Sequence, residues 1–190
     1  MEHQEWKLSV HDTINGGAEP FKNDLELGVL YGYKRDLKMH PVIIINVRRM
    51  LDTKIELDRL VTMGDFFLNY ILTNACIPGK IEGWTCIFDL KDVGATEIPR
   101  DRIQGLVKTM NKNYRGRLFR FYATDVTFVV RQVWKLAHHL VDEFTNKKLQ
   151  IFGDDYHQSM QELISKDCLE ARYGGNLPDK TDNFFPPQFN

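Results

Sequence analysis

His138 and His139, the run Asp154-Asp155 followed by His157, and Cys76, Cys86 and Cys168 are the residues whose types could move protons or hold a metal. Their spacing argues for less. Neighbours on a helix point about 100° apart, so His138 and His139 do not converge on one ion, and no metal is expected. Acids such as Asp154 and Asp155, read at a helix start, serve most simply to cap free N–H groups. Three cysteines without C-x-x-C spacing suit neither a zinc site nor a disulfide framework, and fit a reducing compartment. Gly79-Lys80 is followed by Ile81, not by Ser or Thr, and lacks the upstream glycine of a phosphate loop. There is no G-x-S-x-G elbow, H-E-x-x-H helix or G-x-G-x-x-G turn. The chain is therefore expected to be no enzyme and to need no cofactor.

The elements that would position any site are clearer. The chain has 190 residues, 43% of them hydrophobic, with a net charge of −1. It can bury one sizeable core, and it has no global basic bias towards nucleic acid, which is not expected as a partner. The longest apolar run, Val42 to Ile45, falls far short of the roughly 20 residues that span a bilayer. Met1 to Ser9 is charged and has no apolar signal region, so a soluble cytoplasmic protein is the expectation. Residues 1–24, with Gly16-Gly17 and Pro20, read as an arm or linker, in which Trp6, Leu8 and Val10 alternate as a short docking segment could. Residues 181–190, carrying Phe184-Phe185-Pro186-Pro187, read as an extended tail.

Between these ends two periods alternate. Val42 to Val47, Trp84 to Leu90, Arg117 to Thr124 and Lys148 to Phe152 read as strands, the first apolar on both faces. Leu57, Leu60, Val61, Gly64, Phe67, Leu68 and Ile71 recur at helical spacing. A second helix is predicted over Asp101 to Lys112, with Ile103, Leu106, Val107 and Met110 on one face. Strands alternating with helices imply crossover connections, hence an α/β fold with a mostly parallel β-sheet flanked by helices.

Residues 126–144 form the most amphipathic stretch. Val126, Val129, Val130, Val133, Ala137, Leu140, Val141 and Phe144 share one face of a helical wheel, and Arg131, Lys135, His138 and Asp142 line the other. Such a stripe is ordinarily a core-packing face. Phe128 falls on the polar side and Trp134 at the edge of the apolar arc. If exposed, they suit contact with a bilayer; Phe128 could equally precede the first full turn and pack inward.

The order of pieces from Asn113-Tyr114 through Arg117-Leu118-Phe119-Arg120-Phe121-Tyr122-Ala123-Thr124-Asp125, Val133-Trp134-Lys135-Leu136 and Thr145-Asn146-Lys147-Lys148-Leu149-Gln150-Ile151-Phe152-Gly153 to Tyr173-Gly174-Gly175 is distinctive. It resembles the second half of the CRAL-TRIO lipid-binding domain of phosphatidylinositol/phosphatidylcholine transfer proteins. Tyr31-Gly32-Tyr33-Lys34-Arg35-Asp36 before Pro41 resembles that family's charged turn before its first strand. Cys86-Ile87-Phe88-Asp89-Leu90-Lys91-Asp92 resembles its Asp-Leu-Lys-Gly strand end, with Asp92 where glycine is usual. The resemblance covers roughly residues 28–178 and implies a lipid-binding domain over 25–180, without the helical domain that precedes many members.

By that resemblance the sheet becomes the floor of a lipid cavity, and the 126–144 helix becomes a mobile lid that lets lipid pass at a membrane surface. Phe67, Tyr70, Phe88, Phe119, Phe121 and Val133 are the residues expected to line the cavity. A lid has a physical reason: exposing an acyl chain at about 0.8 kcal/mol per methylene costs on the order of 12 kcal/mol. Thr145 and Lys148 match the family's phosphate donors, although alone they read as the solvated end of a helix. Gly116 stands where the family has a carboxylate for inositol hydroxyls, and Trp84, Cys86 and Met110 replace hydroxyl residues used for phosphatidylcholine. Arg100, Arg102, Arg115, Arg117 and Arg120 are read either as a basic patch for anionic membranes or as scattered surface charge. The implied partners are a lipid and, transiently, a membrane. The rival reading is a regulatory protein-interaction module of the same fold.

Overall fold

The computed structural model describes residues 20–137, 143–153 and 156–189. Its framework is one five-stranded sheet in the order β1-β2-β3-β4-β5, which is also the chain order. β1 (Leu30–Arg35) pairs antiparallel with β2 (Pro41–Asn46); β3 (Trp84–Asp89), β4 (Leu118–Thr124) and β5 (Leu149–Ile151) then add in parallel. Each parallel step needs a crossover. α2 (Val47–Thr53) and α3 (Leu57–Asn74) join β2 to β3, α4 (Arg100–Asn113) joins β3 to β4, and α5 (Phe128–Ala137) and α6 (Glu143–Asn146) lie between β4 and β5. The short α1 (Lys22–Leu25) precedes the sheet and α7 (His157–Gln161) follows it.

Every residue of β2 is buried, as its unbroken β-branched run requires. The expected strand continued to Val47, but the side chain of Asn46 accepts a hydrogen bond from Arg49 N at 2.9 Å and caps α2 instead. Period-two alternation sorts the sheet into two faces. Ile43, Ile45, Trp84 and Cys86 pack under Leu60, Met63 and Phe67 of α3. Val42, Ile44, Ile87 and Tyr122 pack against Tyr156, Met160, Ile164, Leu169 and Tyr173 from the C-terminal part of the chain. Phe21 and Leu25 are buried in the first of these clusters, Phe21 against the Phe66 ring at 5.2 Å.

The strand β1 is the element read from sequence only as a turn. Gly32 interrupts its apolar pattern, and the reason lies in the tail. A Cβ at Gly32 would stand 2.5 Å from the Phe189 ring, so only glycine lets the tail lie flat on this strand. Lys34 N donates to Gln188 O at 2.7 Å and Gln188 N to Gly32 O at 3.3 Å, so the tail blunts the sheet edge. Phe184 is buried, with its ring 5.0 Å from that of Tyr31 and 4.5 Å from the Arg49 guanidinium. Glu26 accepts from Phe184 N and Phe185 N at 3.0 and 3.2 Å. Phe184→Ala is accordingly expected to lower unfolding stability by about 3–5 kcal/mol, read as a reduced urea midpoint. A change under about 1 kcal/mol would mean that the strap contributes little.

Candidate functional site

The upper half of the sheet, towards the C-terminal ends of the parallel strands, does not pack solidly. A cavity of about 320 Å³ lies there, and every described residue around it is apolar. Ile45, Phe88, Phe121, Ala123 and Ile151 supply its floor from four adjacent strands. Ile103, Leu106, Val107 and Met110 of α4 form one wall, and Val126, just before α5, and Val130, in its first turn, form another. None of the residues of α4 is fully buried: Leu106 and Met110 pack against the core under α3, but the same apolar stripe also borders the hollow. Val107 both borders the cavity and is 48% exposed, so the hollow reaches the surface beside α4.

A smaller void of about 30 Å³ sits below it, and Trp84, Cys86 and Met110 border it together. Those are the three residues at which the resemblance marks lost hydroxyls, and here they make an apolar wall. Burial pushes the Cys86 thiol up to about 12, so it is a neutral part of that wall.

α5 is held at its root. Asp125, at φ 55°, turns the chain out of β4; its N donates to Gly153 O and Val126 N donates to Phe152 O, both at 2.9 Å. Tyr156 OH donates to Asp125 Oδ2 at 3.0 Å. One turn on, Val130 faces the cavity, whereas Phe128 and Val129 are 66% and 61% exposed. Phe128 thus lies outward. Val129 does so too, contrary to the shared apolar face, because the helix starts only at Phe128 and is oriented by Val126 and Val130. Nothing is described of the side chains of Val133, Trp134, Ala137, Phe144 and Thr145, and His138, His139, Leu140, Val141, Asp142, Asp154 and Asp155 lie outside the described residues.

At the opposite end of the strands a polar cleft of about 620 Å³ is bordered by His40, Glu82, Arg115, Gly116, Arg117, Phe119 and Lys148. Lys148 Nζ donates to Leu118 O at 2.7 Å, and Arg117 Nη1 to Glu82 O at 2.8 Å. Gly116, at φ 82°, has no neighbouring atom within contact of a Cβ, so no carboxylate reaches into the cleft from there.

Of the six expected cavity residues, Phe88 and Phe121 lie in its floor, their rings 5.8 Å apart. Phe67 is instead buried in the solid core under α3, and Tyr70 packs edge-on against Phe185 at 5.1 Å. Phe119 borders the polar cleft, stacked on His40 at 3.8 Å. Simple alternation puts Phe119 on the same face as Phe121, but the β3–β4 pairing slips between Trp84↔Leu118 and Thr85↔Arg120. That irregularity turns Phe119 away. The five arginines do not gather: Arg115 and Arg117 border the cleft, Arg120 donates to Lys147 O, and Arg102 donates to Met50 O.

Behind the cavity, on the other face of the sheet, lies a buried polar network. Asp89 Oδ2 accepts from Tyr173 OH at 2.9 Å and Asn46 Nδ2 at 3.2 Å, and pairs with Arg172 Nη2 at 2.7 Å. Tyr31 OH donates to Glu170 Oε2 at 2.9 Å. The glycine turn exists to fold this segment tightly: Gly174 has φ 81°, and a Cβ on Gly175 would meet Leu169 O at 2.0 Å. Asp92, at φ 62°, holds the left-handed conformation that makes glycine usual at its position.

Desolvation raises the Glu170 carboxyl above its ordinary 4.5 despite its hydrogen bonds. A folded-state value above the unfolded one means the native state holds the proton longer. Its contribution is present below about pH 4.5 and is lost as pH rises through the folded value. Glu170→Gln is expected to flatten that fall in a series of urea midpoints taken upward from pH 4.5, and an unchanged slope would assign it to other groups.

The model of the CRAL/TRIO domain matches residues 25–175. The chain belongs to the CRAL/TRIO domain family. It is 33% identical over 100 residues to the Sec14 cytosolic factor of Schizosaccharomyces pombe, covering 52% of this chain and 35% of that protein. It is 27% identical over 157 residues to the phosphatidylinositol/phosphatidylcholine transfer protein SFH12 of Arabidopsis thaliana, covering 74% of this chain and 28% of that protein. The crystal structure of Sfh5 superposes with a TM-score of 0.64 at 22% identity, covering 84% of this chain and 59% of that one, and fixes the fold. These relatives all extend well beyond the stretch that matches. Among the described residues no helix is long and apolar enough to cross a membrane, and no three His, Cys, Asp or Glu residues gather as a metal site.

Proposed function

We propose that this CRAL/TRIO domain binds the apolar part of a lipid between sheet, α4 and α5, and exchanges it with membranes. The observation that carries this reading is the cavity of about 320 Å³, whose described wall residues are all apolar. Small-molecule sites run about 300–1,000 Å³, so the hollow is large enough to be one and has the chemistry of hydrocarbon. The names of the relatives, lipid transfer proteins among them, support the same direction.

The polar cleft is the proposed seat of an anionic headgroup. Leu118 of the cleft precedes Phe121 of the cavity by three strand residues, about 10 Å, a distance one lipid spans. Lys148 would turn from the Leu118 carbonyl to a phosphate, with Thr145 as the second donor. A charge-assisted hydrogen bond contributes about 1.5–3 kcal/mol. Lys148→Ala should therefore weaken pick-up of fluorescent phosphatidylinositol on the order of tenfold or more, with little effect on an uncharged fluorescent diacylglycerol. Equal uptake of phosphatidylinositol by variant and parent would place the headgroup elsewhere. α5, with Val130 inward and Phe128 and Val129 outward, is the proposed lid.

A further inference from the structure

The tip of the β1–β2 hairpin has no part in the cavity, yet it is built to stand out and stay rigid. Lys34 and Met39 take left-handed conformations, at φ 61° and 70°, which fold the tip tightly. Buried Asp36 ties it from within: Oδ1 accepts from Lys38 N and His40 N at 2.8 and 2.9 Å, and Oδ2 accepts from Thr85 Oγ1 at 2.8 Å. Arg35 clamps it from the side, donating to Met39 O at 2.8 Å and to Ala75 O at 2.9 Å, which draws in the turn carrying Ile77. What this scaffold presents is apolar: Leu37 is 62% exposed, Met39 53% and Ile77 45%.

Cations surround these side chains. Lys38 lies over the Phe119 ring at 5.3 Å, Lys80 is exposed on the Ile77 turn, and Arg115, Arg117 and Lys148 border the adjoining cleft. Against them stand Asp36, which is buried, Glu82, which Arg117 holds, and Glu162, whose neighbour Leu163 accepts from Leu37 N at 2.8 Å. Preorganised apolar tips ringed by Lys and Arg suit the boundary of an anionic bilayer, where apolar groups enter the headgroup region and charges meet lipid phosphates and carboxylates. An acidic protein surface would match the charges but would leave Leu37 and Met39 without apolar cover.

We infer that the hairpin tip, with Leu37, Met39 and Ile77 inside a ring of Lys38, Lys80 and Arg115, is a docking surface for an anionic membrane, at the end of the sheet remote from the root of α5. It deepens the proposed exchange with membranes, but stands apart from lipid loading: a protein with an empty cavity would still dock.

The test is co-sedimentation of the full chain with phosphatidylcholine vesicles and with phosphatidylcholine/phosphatidylserine vesicles. Binding is expected on the second and to be weak on the first, and to fade as salt rises. Leu37→Ser/Met39→Ser should weaken it about tenfold or more, and Lys38→Glu/Lys80→Glu comparably on anionic vesicles only. All four positions are exposed or at the tip, and a thermal melt checks that the variants remain folded. No sedimentation of the parent chain, or unchanged binding of Leu37→Ser/Met39→Ser with loss in Phe128→Ser, overturns the inference. Lipid found in the cavity of a chain that never sediments would defeat this inference alone; docking by a chain that never takes up lipid would defeat only the proposed cargo.

Discussion

Ala123→Trp is expected to abolish lipid uptake while leaving the protein folded. Ala123 sits in the floor of the cavity between Phe88 and Ile151, and its methyl group is the smallest feature there. An indole ring projecting from β4 would occupy the space an acyl tail needs. Forcing a large side chain into a packed core costs typically about 1–3 kcal/mol, but part of that is offset where a void is filled. The stability change should therefore be small, and retention of a fluorescent acyl lipid from vesicles should fall to background. Uptake at the parent level would show that the tail does not enter this hollow. A large loss of stability would show that the hollow closes in solution.

Asp89→Ala should have a large effect on stability. The carboxylate is buried at the end of β3, where it receives Tyr173, Asn46 and the backbone of Lys91 while paired with Arg172. Removing it strands a mostly buried guanidinium and three donors, a loss of about 3–5 kcal/mol. Asp89→Asn keeps an acceptor for Tyr173 and should fall between. Equilibrium urea unfolding with a constant denaturant slope measures both. A cost below about 1 kcal/mol for the alanine variant would make the pair no better than a surface ion pair.

Much of this architecture was legible because it is periodic. The β-branched run at Val42 to Ile45 and the apolar stripe Ile103, Leu106, Val107, Met110 announce a doubly covered strand and an amphipathic helix, and both exist. The resemblance led to the family and to the CRAL-TRIO fold. What was hidden depends on pairs of distant segments. β1 could not be read because Gly32 is explained only by Phe189, far along the chain. Phe119 could not be placed because a slip in strand pairing is invisible to alternation. The α4 stripe gave no sign that it bounds a cavity, since a hollow and a core ask for the same residues. Nor could the buried partners of Asp89 be foreseen, as Arg172 and Tyr173 come from the other end of the domain.

Native mass spectrometry of the purified chain, followed by organic extraction and identification of any released lipid, tests the central claim most directly. The account calls for up to one lipid molecule per chain, retained from the expression host or loaded from vesicles, and lost in Ala123→Trp. A chain that stays at its bare mass after incubation with vesicles of mixed lipids, while folded and monodisperse, would contradict it and favour a domain that works through protein contacts.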